Sequence, residues 1–249
     1  MQRKLILISC LVLLATSGFA QSSGQYEYTK EFIWGVNKNT NGGLIGGFVM
    51  KFSSAISETQ FRTIGFELMN VKHPKEFRRN SVAGNPFIYG KSNYLYAIRA
   101  QYGRDFILFR KSPQQGVQIN ASIAAGPTIG IVAPYYVKVA SGGGDRGQAV
   151  PFGYDPRTTG SSNPMLYSYQ SITGTGHLFQ GLGESSIKPG LNLKAAMVFE
   201  LGSFKSNVTG FEIGTLIEAY AGQIELMPEE DNRSMFISAF ITLFYGHRK

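Results

Sequence analysis

The sequence predicts an all-β protein, an antiparallel up-and-down transmembrane β-barrel of about eight strands with short periplasmic turns and long extracellular loops. Three observations predict it. An export leader opens the chain, yet no later apolar run is long enough to form a membrane helix. Apolar and polar residues alternate with a period of two in segment after segment. The connections between those segments are short on one side and long on the other.

The leader reads MQRKLILISCLVLLATSGFAQ. Arg3 and Lys4 supply the basic start, Leu5 to Ala15 the apolar stretch, and Gly18 and Ala20 the small residues of a cleavage site. Cleavage before Gln21 is expected, dividing the chain into a signal peptide (1–20) and a barrel (21–249) with a long surface loop at 138–189. The single cysteine, Cys10, lies inside the leader. LISC resembles a lipobox, which would lipidate Cys10, but the apolar run Leu11 to Ala15 continues past it and favours cleavage at Ala20. The exported chain then has no disulfide.

Composition agrees with this class. The 249 residues include 30 glycines, 13% are aromatic and only 16% are charged, which argues against a disordered chain. The net charge of +8 does not point to nucleic acid, because the chain is exported and has no recognition module.

Eight segments alternate. In YTKEFIWGVN, Phe32, Trp34 and Val36 oppose Glu31 and Gly35. In LIGGFVMKF, Leu44, Phe48, Met50 and Phe52 oppose Gly47 and Lys51. In FRTIGFELMN, Ile64, Phe66 and Leu68 oppose Thr63, Gly65 and Glu67. In NYLYAIRAQYG, Tyr94, Tyr96, Ile98, Ala100 and Tyr102 oppose Arg99, Gln101 and Gly103. In GVQINASIAAGPTIGIVAPYYV, Val117 to Tyr135 supply apolar odd positions against Gln118, Asn120, Ser122 and Thr128. GLNLKAAMVFELG sets Leu191, Leu193 and Met197 against Asn192, Lys194 and Glu200, and GFEIGTLIEAYAG sets Phe211, Ile213 and Ile217 against Glu212 and Glu218. SMFISAFITLFYG sets Met235, Ile237, Ile241 and Leu243 against Ser238, Thr242 and three phenylalanines. A strand places such sets on opposite faces, and about ten alternating residues cross a bilayer. The aromatics Tyr94, Tyr96, Tyr135, Tyr136, Phe244 and Tyr245 lie near strand ends, where an interfacial girdle would be.

With both termini periplasmic, the outward connections are Lys38 to Gly43, Lys72 to Asn93, Lys138 to Pro189 and Gln223 to Ser234. The opposite ones are short turns. The loop from Lys138 to Pro189 is too long to be a mere connector, and function is expected there, on loops held by a rigid scaffold.

The inward set carries Glu31, Lys51, Glu67, Arg99, Asp105, Lys194, Glu200, Glu212 and Glu218. Eight strands enclose an interior that side chains just fill, so these charges are expected to pair as an ion network that plugs the lumen. A glycosidase acid–base pair of Glu212 and Glu218 fails on distance. Six residues apart on one strand face puts them about 20 Å apart, far beyond the roughly 5–10 Å such enzymes use.

Other chemistry is sparse. The three histidines, His73, His177 and His247, form no local ligand cluster, and no metal or cofactor is expected. A rim esterase using His73, Ser81 and Glu76 has no defensible spacing. SGGGDRGQ (Ser141 to Gln148) lacks the ending of a phosphate loop. The run KHPKEFRR offers Lys72, His73, Lys75, Arg78 and Arg79 as a surface that could meet acidic sugars or phosphates of lipopolysaccharide.

On the leader ending GFAQ, the alternating segments and the central NVKHPKEF, YGKSNYLYAIRAQYGRDFILFRK and GVQINASIAAGPTIGIVAPYY, the chain resembles the small outer-membrane β-barrel proteins of Bacteroidota-type bacteria. The resemblance implies a fold and an address, since many such proteins have no assigned activity. The C-terminal segment departs from the commonest barrel pattern by continuing as YGHRK after Phe244. The expected function is non-enzymatic: a structural or docking component working through its outer loops, with outer-membrane lipid, lipopolysaccharide and other outer-membrane proteins as partners. The alternatives are a small lipid- or glycan-modifying barrel enzyme and a narrow pore.

Overall fold

A computed structural model describes residues 28–43, 46–110, 116–141, 144–152, 172–177, 180–201, 206–228 and 230–249. The predicted signal peptide, with Cys10, lies outside them, as do Leu44, Tyr154, Tyr167, Tyr169 and Phe179.

Eight long strands form the barrel: β1 (Lys30–Asn39), β2 (Gly47–Ser57), β3 (Gln60–Val71), β6 (Asn93–Phe109), β7 (Gln118–Pro134), β11 (Ser186–Leu201), β12 (Asn207–Ile224) and β13 (Arg233–Arg248). Each pairs antiparallel with its chain neighbours, and β1 closes the ring on β13 from Glu31 opposite Arg248 to Asn39 opposite Phe240. Closure leaves no sheet edge, which is what allows strands to cross lipid.

Residue chemistry explains the two faces. Leu191 is 69% exposed and Leu243 59%, whereas Glu212 and Glu218 are each 1% exposed. Trp34, Phe48, Phe52, Ile64, Phe66 and Leu68 also point outward. A continuous apolar exterior around a charged interior is inside out for a protein in water and matches a barrel whose outer solvent is hydrocarbon.

The strands are longer than the ten-residue alternation suggests; β6 and β7 have 17 residues each and β12 has 18. The excess projects beyond one end, the end away from the start of β1 and the finish of β13. There the chain builds a cap. A hairpin pairs β4 (Arg78–Asn80) with β5 (Pro86–Ile88), and a three-stranded sheet joins β8 (Tyr136–Ser141), β9 (Gly144–Pro151) and β10 (Ile172–Thr175). The segment 138–189 is therefore not a plain loop. Its first part folds as sheet, and β11 already begins at Ser186. Pro189 is accommodated because β11 pairs there with Ile129 of β7, while its pairing with β12 starts only at Gly190. The missing N–H then faces an unpaired side.

Two apolar cores hold this end together. One, at the barrel mouth, contains Val71, Leu95, Val132, Ile224, Leu226 and Phe236. The other, inside the cap, contains Phe87, Tyr135, Val137, Phe152 and Ile172. Tyr135 is thus buried under the cap rather than in a girdle, because the alternation breaks at Ala133. Phe244 likewise turns inward, packing with Ile33, Val198 and Val208. Tyr245 keeps its exposed outward position, whereas Tyr94 packs against the cap core and Tyr96 stacks on Tyr94, both part-buried.

Glycine makes room where large inward side chains need it. A Cβ on Gly130 would sit 2.6 Å from the Tyr220 ring, and one on Gly190 would sit 2.9 Å from it. The ring lies across β11 and β7 at the mouth and gives those glycines a packing partner.

Candidate functional site

The interior is built in tiers. At the basal end, where β1 begins, the Arg248 guanidinium lies between Glu31, at 2.7 Å, and Glu200, and stacks over the Tyr28 ring with its centre 3.9 Å from the centroid. The Gln118 and Asn120 amides donate to Glu200 Oε1 at 3.2 and 3.3 Å. Further in, Lys51 pairs with Asp105 at 2.8 Å. Lys194 bridges Glu67 at 2.8 Å and Glu212 at 3.0 Å, and lies over the Phe240 ring. Arg99 presents a fork to Glu218, with Nε and Nη2 each 2.9 Å from a carboxylate oxygen, and its Nη1 donates to Glu67 at 3.1 Å.

All nine residues of the predicted lumen set lie inside, and the partners of Glu212 and Glu218 come from different strands. Each glutamate is engaged by its own cation, so the pair has no shared space in which to act as acid and base. Six carboxylates face four cations, so Arg99, Lys194 and Arg248 must each serve two acids. This linked arrangement satisfies buried charge with few counter-charges.

Sequence reasoning placed Gln101, Asn192, Thr128 and Thr242 on the polar face but missed Arg248 and Asn37. Arg248 lies in the YGHRK continuation after Phe244, yet β13 keeps its alternation through Phe244, Gly246 and Arg248, and that period is the available signal. Between the charged tiers, Gln101 donates to Asn192, and Asn192 donates to Thr128, both at 2.9 Å. Asn37 donates to Thr242 at 2.8 Å. These amides fill the inward positions among the ions.

The predicted basic surface is divided by the fold. Arg78 and Arg79 are exposed on β4, and Arg79 lies 5.8 Å from the Tyr89 ring centroid. Lys75 is exposed and pairs with Glu230 across to the last outer loop. Lys72 is half-buried. His73 is buried and no part of a binding surface, because its loop tucks against the mouth. His73 Nδ1 accepts the Lys75 N–H, Glu76 accepts the His73 N–H, and Ser81 Oγ donates to the Thr173 carbonyl. The three residues of the considered esterase site are each turned to backbone partners, with no nucleophile–base contact.

A buried ion pair that the sequence had not suggested ties the cap down. Lys91 Nζ lies 2.7 Å from Glu76 Oε1, with both side chains almost wholly buried, and 4.6 Å from the Tyr94 ring centroid. Burial holds the Lys91 ammonium below its ordinary 10.5, against the raising pull of Glu76. The unfolded cap therefore binds more protons than the folded cap in the alkaline range below 10.5, and cap stability rises with pH through that window. Lys91→Met, which strands the Glu76 carboxylate, is expected to loosen the cap at neutral pH by about 3 kcal/mol or more. Adding Glu76→Leu should recover most of the loss. Hydrogen exchange of residues 86–95 checks both results.

Among the described residues, no group of three or more His, Cys, Asp or Glu side chains is placed to hold a metal ion. No family model matches the chain, and no curated protein matches it. Solved structures do. Neisserial surface protein A aligns with a TM-score of 0.39 at 8% identity, covering 89% of this chain and 97% of that one. Ail, the attachment invasion locus protein of Yersinia pestis, aligns with a TM-score of 0.37 at 11% identity, covering 90% and 100%. Ail in complex with the heparin analogue sucrose octasulfate aligns with a TM-score of 0.34 at 12% identity, covering 89% and 97%. The closed eight-strand ring seen directly in this chain is what establishes its fold.

Proposed function

We propose that the protein is an integral outer-membrane barrel, exported by a cleaved leader, that acts without catalysis as a structural or docking component through its cap. The reading extends to an accessory subunit of a larger outer-membrane assembly, secretion or uptake complex. The carrying observation is the division of labour in the fold. The lumen is filled by linked ion pairs, while the chain's most elaborate non-barrel structure is gathered at one end. That end exposes Phe77 and Val82, 69% and 75% accessible, beside Arg78 and Arg79. Exposed apolar and arginine side chains together suit a protein partner, and the two arginines also suit phosphate groups of lipopolysaccharide.

Purification of the tagged protein from outer membranes in mild detergent tests this. Migration on a native gel as a defined complex, with a reproducible outer-membrane partner identified by mass spectrometry, is the expected result. A lone species of about the mass of the chain would count against docking.

A further inference from the structure

The lower outer surface of the barrel holds a groove of about 510 Å³ that the cap reading does not use. Its apolar floor is one cross-strand row, in which Phe32 pairs with Phe52, Phe52 with Ile64 and Ile64 with Tyr102. The Phe32 and Phe52 rings lie 4.6 Å apart. The next row toward the basal end is basic. Lys30 and Lys249 exchange backbone hydrogen bonds of 2.9 Å, Lys30 faces Ser54, Ser54 faces Arg62, and Arg62 faces Arg104.

Two directly opposed like-charge pairs on one sheet face destabilise the sheet unless an anion lies between them. Among the described residues, no carboxylate pairs with Lys30, Arg62, Arg104 or Lys249. The acids of the neighbouring positions, Glu31 and Asp105, are turned into the lumen and matched there to Arg248 and Lys51. Among the described residues, then, no acid supplies the counter-charge of this row, and its exposed cations are open to an anion from outside. On another side of the barrel, β11 and β12 present the stacked rings of Phe199 and Phe211.

We propose that this groove binds one anionic glycerophospholipid of the inner leaflet. Its phosphate is held by Lys30, Arg62 and Lys249, and an acyl chain lies along Phe32, Phe52, Ile64 and Tyr102. The proposal rests on the reading that the barrel spans the outer membrane with its basal end inward. It adds a defined lipid site on one side of the barrel.

Trp34 makes the test direct. It is the chain's one tryptophan, faces outward, and stands two residues along β1 from Phe32. The full exported chain is reconstituted in phosphatidylcholine vesicles containing a small fraction of either phosphatidylglycerol or phosphatidylcholine with brominated acyl chains. Trp34 fluorescence should be quenched at least about fivefold more strongly by the brominated phosphatidylglycerol at equal mole fraction. The double variant K30Q/R62Q, with strand content checked by circular dichroism, should bring the two lipids to equal quenching. Equal quenching in the unaltered protein, or selectivity that survives in K30Q/R62Q, would overturn the site. Absence of quenching by either lipid would instead overturn the membrane-spanning reading on which the site rests.

Discussion

Replacing Arg99 with leucine is expected to lower barrel stability by about 3–5 kcal/mol, the largest loss foreseen for a single lumen substitution. Arg99 is the cation for Glu218, through two hydrogen bonds of 2.9 Å, and shares Glu67 with Lys194. Its removal leaves Glu218 buried without a counter-charge and Glu67 dependent on Lys194 alone, which is already committed to Glu212. Removing one partner of a buried ion cluster costs far more than the cluster contributes, because the stranded charge keeps its desolvation penalty. Arg99→Lys should lose less but still measurably, since an ammonium cannot offer the planar fork that meets two carboxylates. Thermal unfolding in detergent micelles, followed by circular dichroism, orders the three proteins as wild type, R99K and R99L. A stability of R99L equal to wild type would show that the lumen ions are not held as a closed network.

Tyr135→Ala is expected to unseat the cap while leaving the barrel intact. The ring is 1% exposed within the cap core and meets the Tyr94 ring edge-on at a centroid distance of 5.3 Å. Its hydroxyl accepts the Ile88 N–H at 2.9 Å, which joins the 86–88 strand to the start of the second cap sheet. Loss of a large buried aromatic side chain costs about 3–5 kcal/mol. Here that cost falls on a small core whose other buried members are Phe87, Val137, Phe152 and Ile172. Protease added to whole cells should cut the variant within the cap and leave the membrane-embedded strands protected. Under the docking proposal, the same variant should also lose its partner in the native-gel experiment. Protease resistance equal to wild type would mean that other contacts hold the cap.

The barrel was legible because its signal is local and repeated. In β12 a single period-two pattern carries Glu212 and Glu218 inward and Ile213 and Ile217 outward, and the same holds for Lys194 in β11 and Arg99 in β6. Pairing partners were less legible, since register between strands depends on where distant turns fall. Lys194 reaches Glu67 across 127 residues of chain. Arg248 was hidden by its place after an apparent strand end, although its parity was correct. Tyr135 was misread because alternation fails at Ala133 and Pro134, where the barrel strand bends into the cap. The cap sheets and the Lys91–Glu76 pair were not legible at all. They form from short segments rich in glycine and proline, whose pairing is fixed by tertiary contacts rather than by pattern.

The geometry of the lumen also bears on the narrow-pore alternative. Side chains of Glu67, Arg99, Lys194, Glu212 and Glu218 meet across the middle of the barrel, and the apolar layer around Leu95, Ile224 and Leu226 closes the mouth above them. An ion crossing this interior would have to break several desolvated pairs at once.

Single-channel recording of the purified protein in planar lipid bilayers tests the sealed lumen most directly. With insertion verified, the protein is expected to give no discrete conductance steps across a range of voltages. Reproducible steps from the unaltered barrel would show that ions pass through the interior, and would contradict the account of a plugged scaffold that works through its cap.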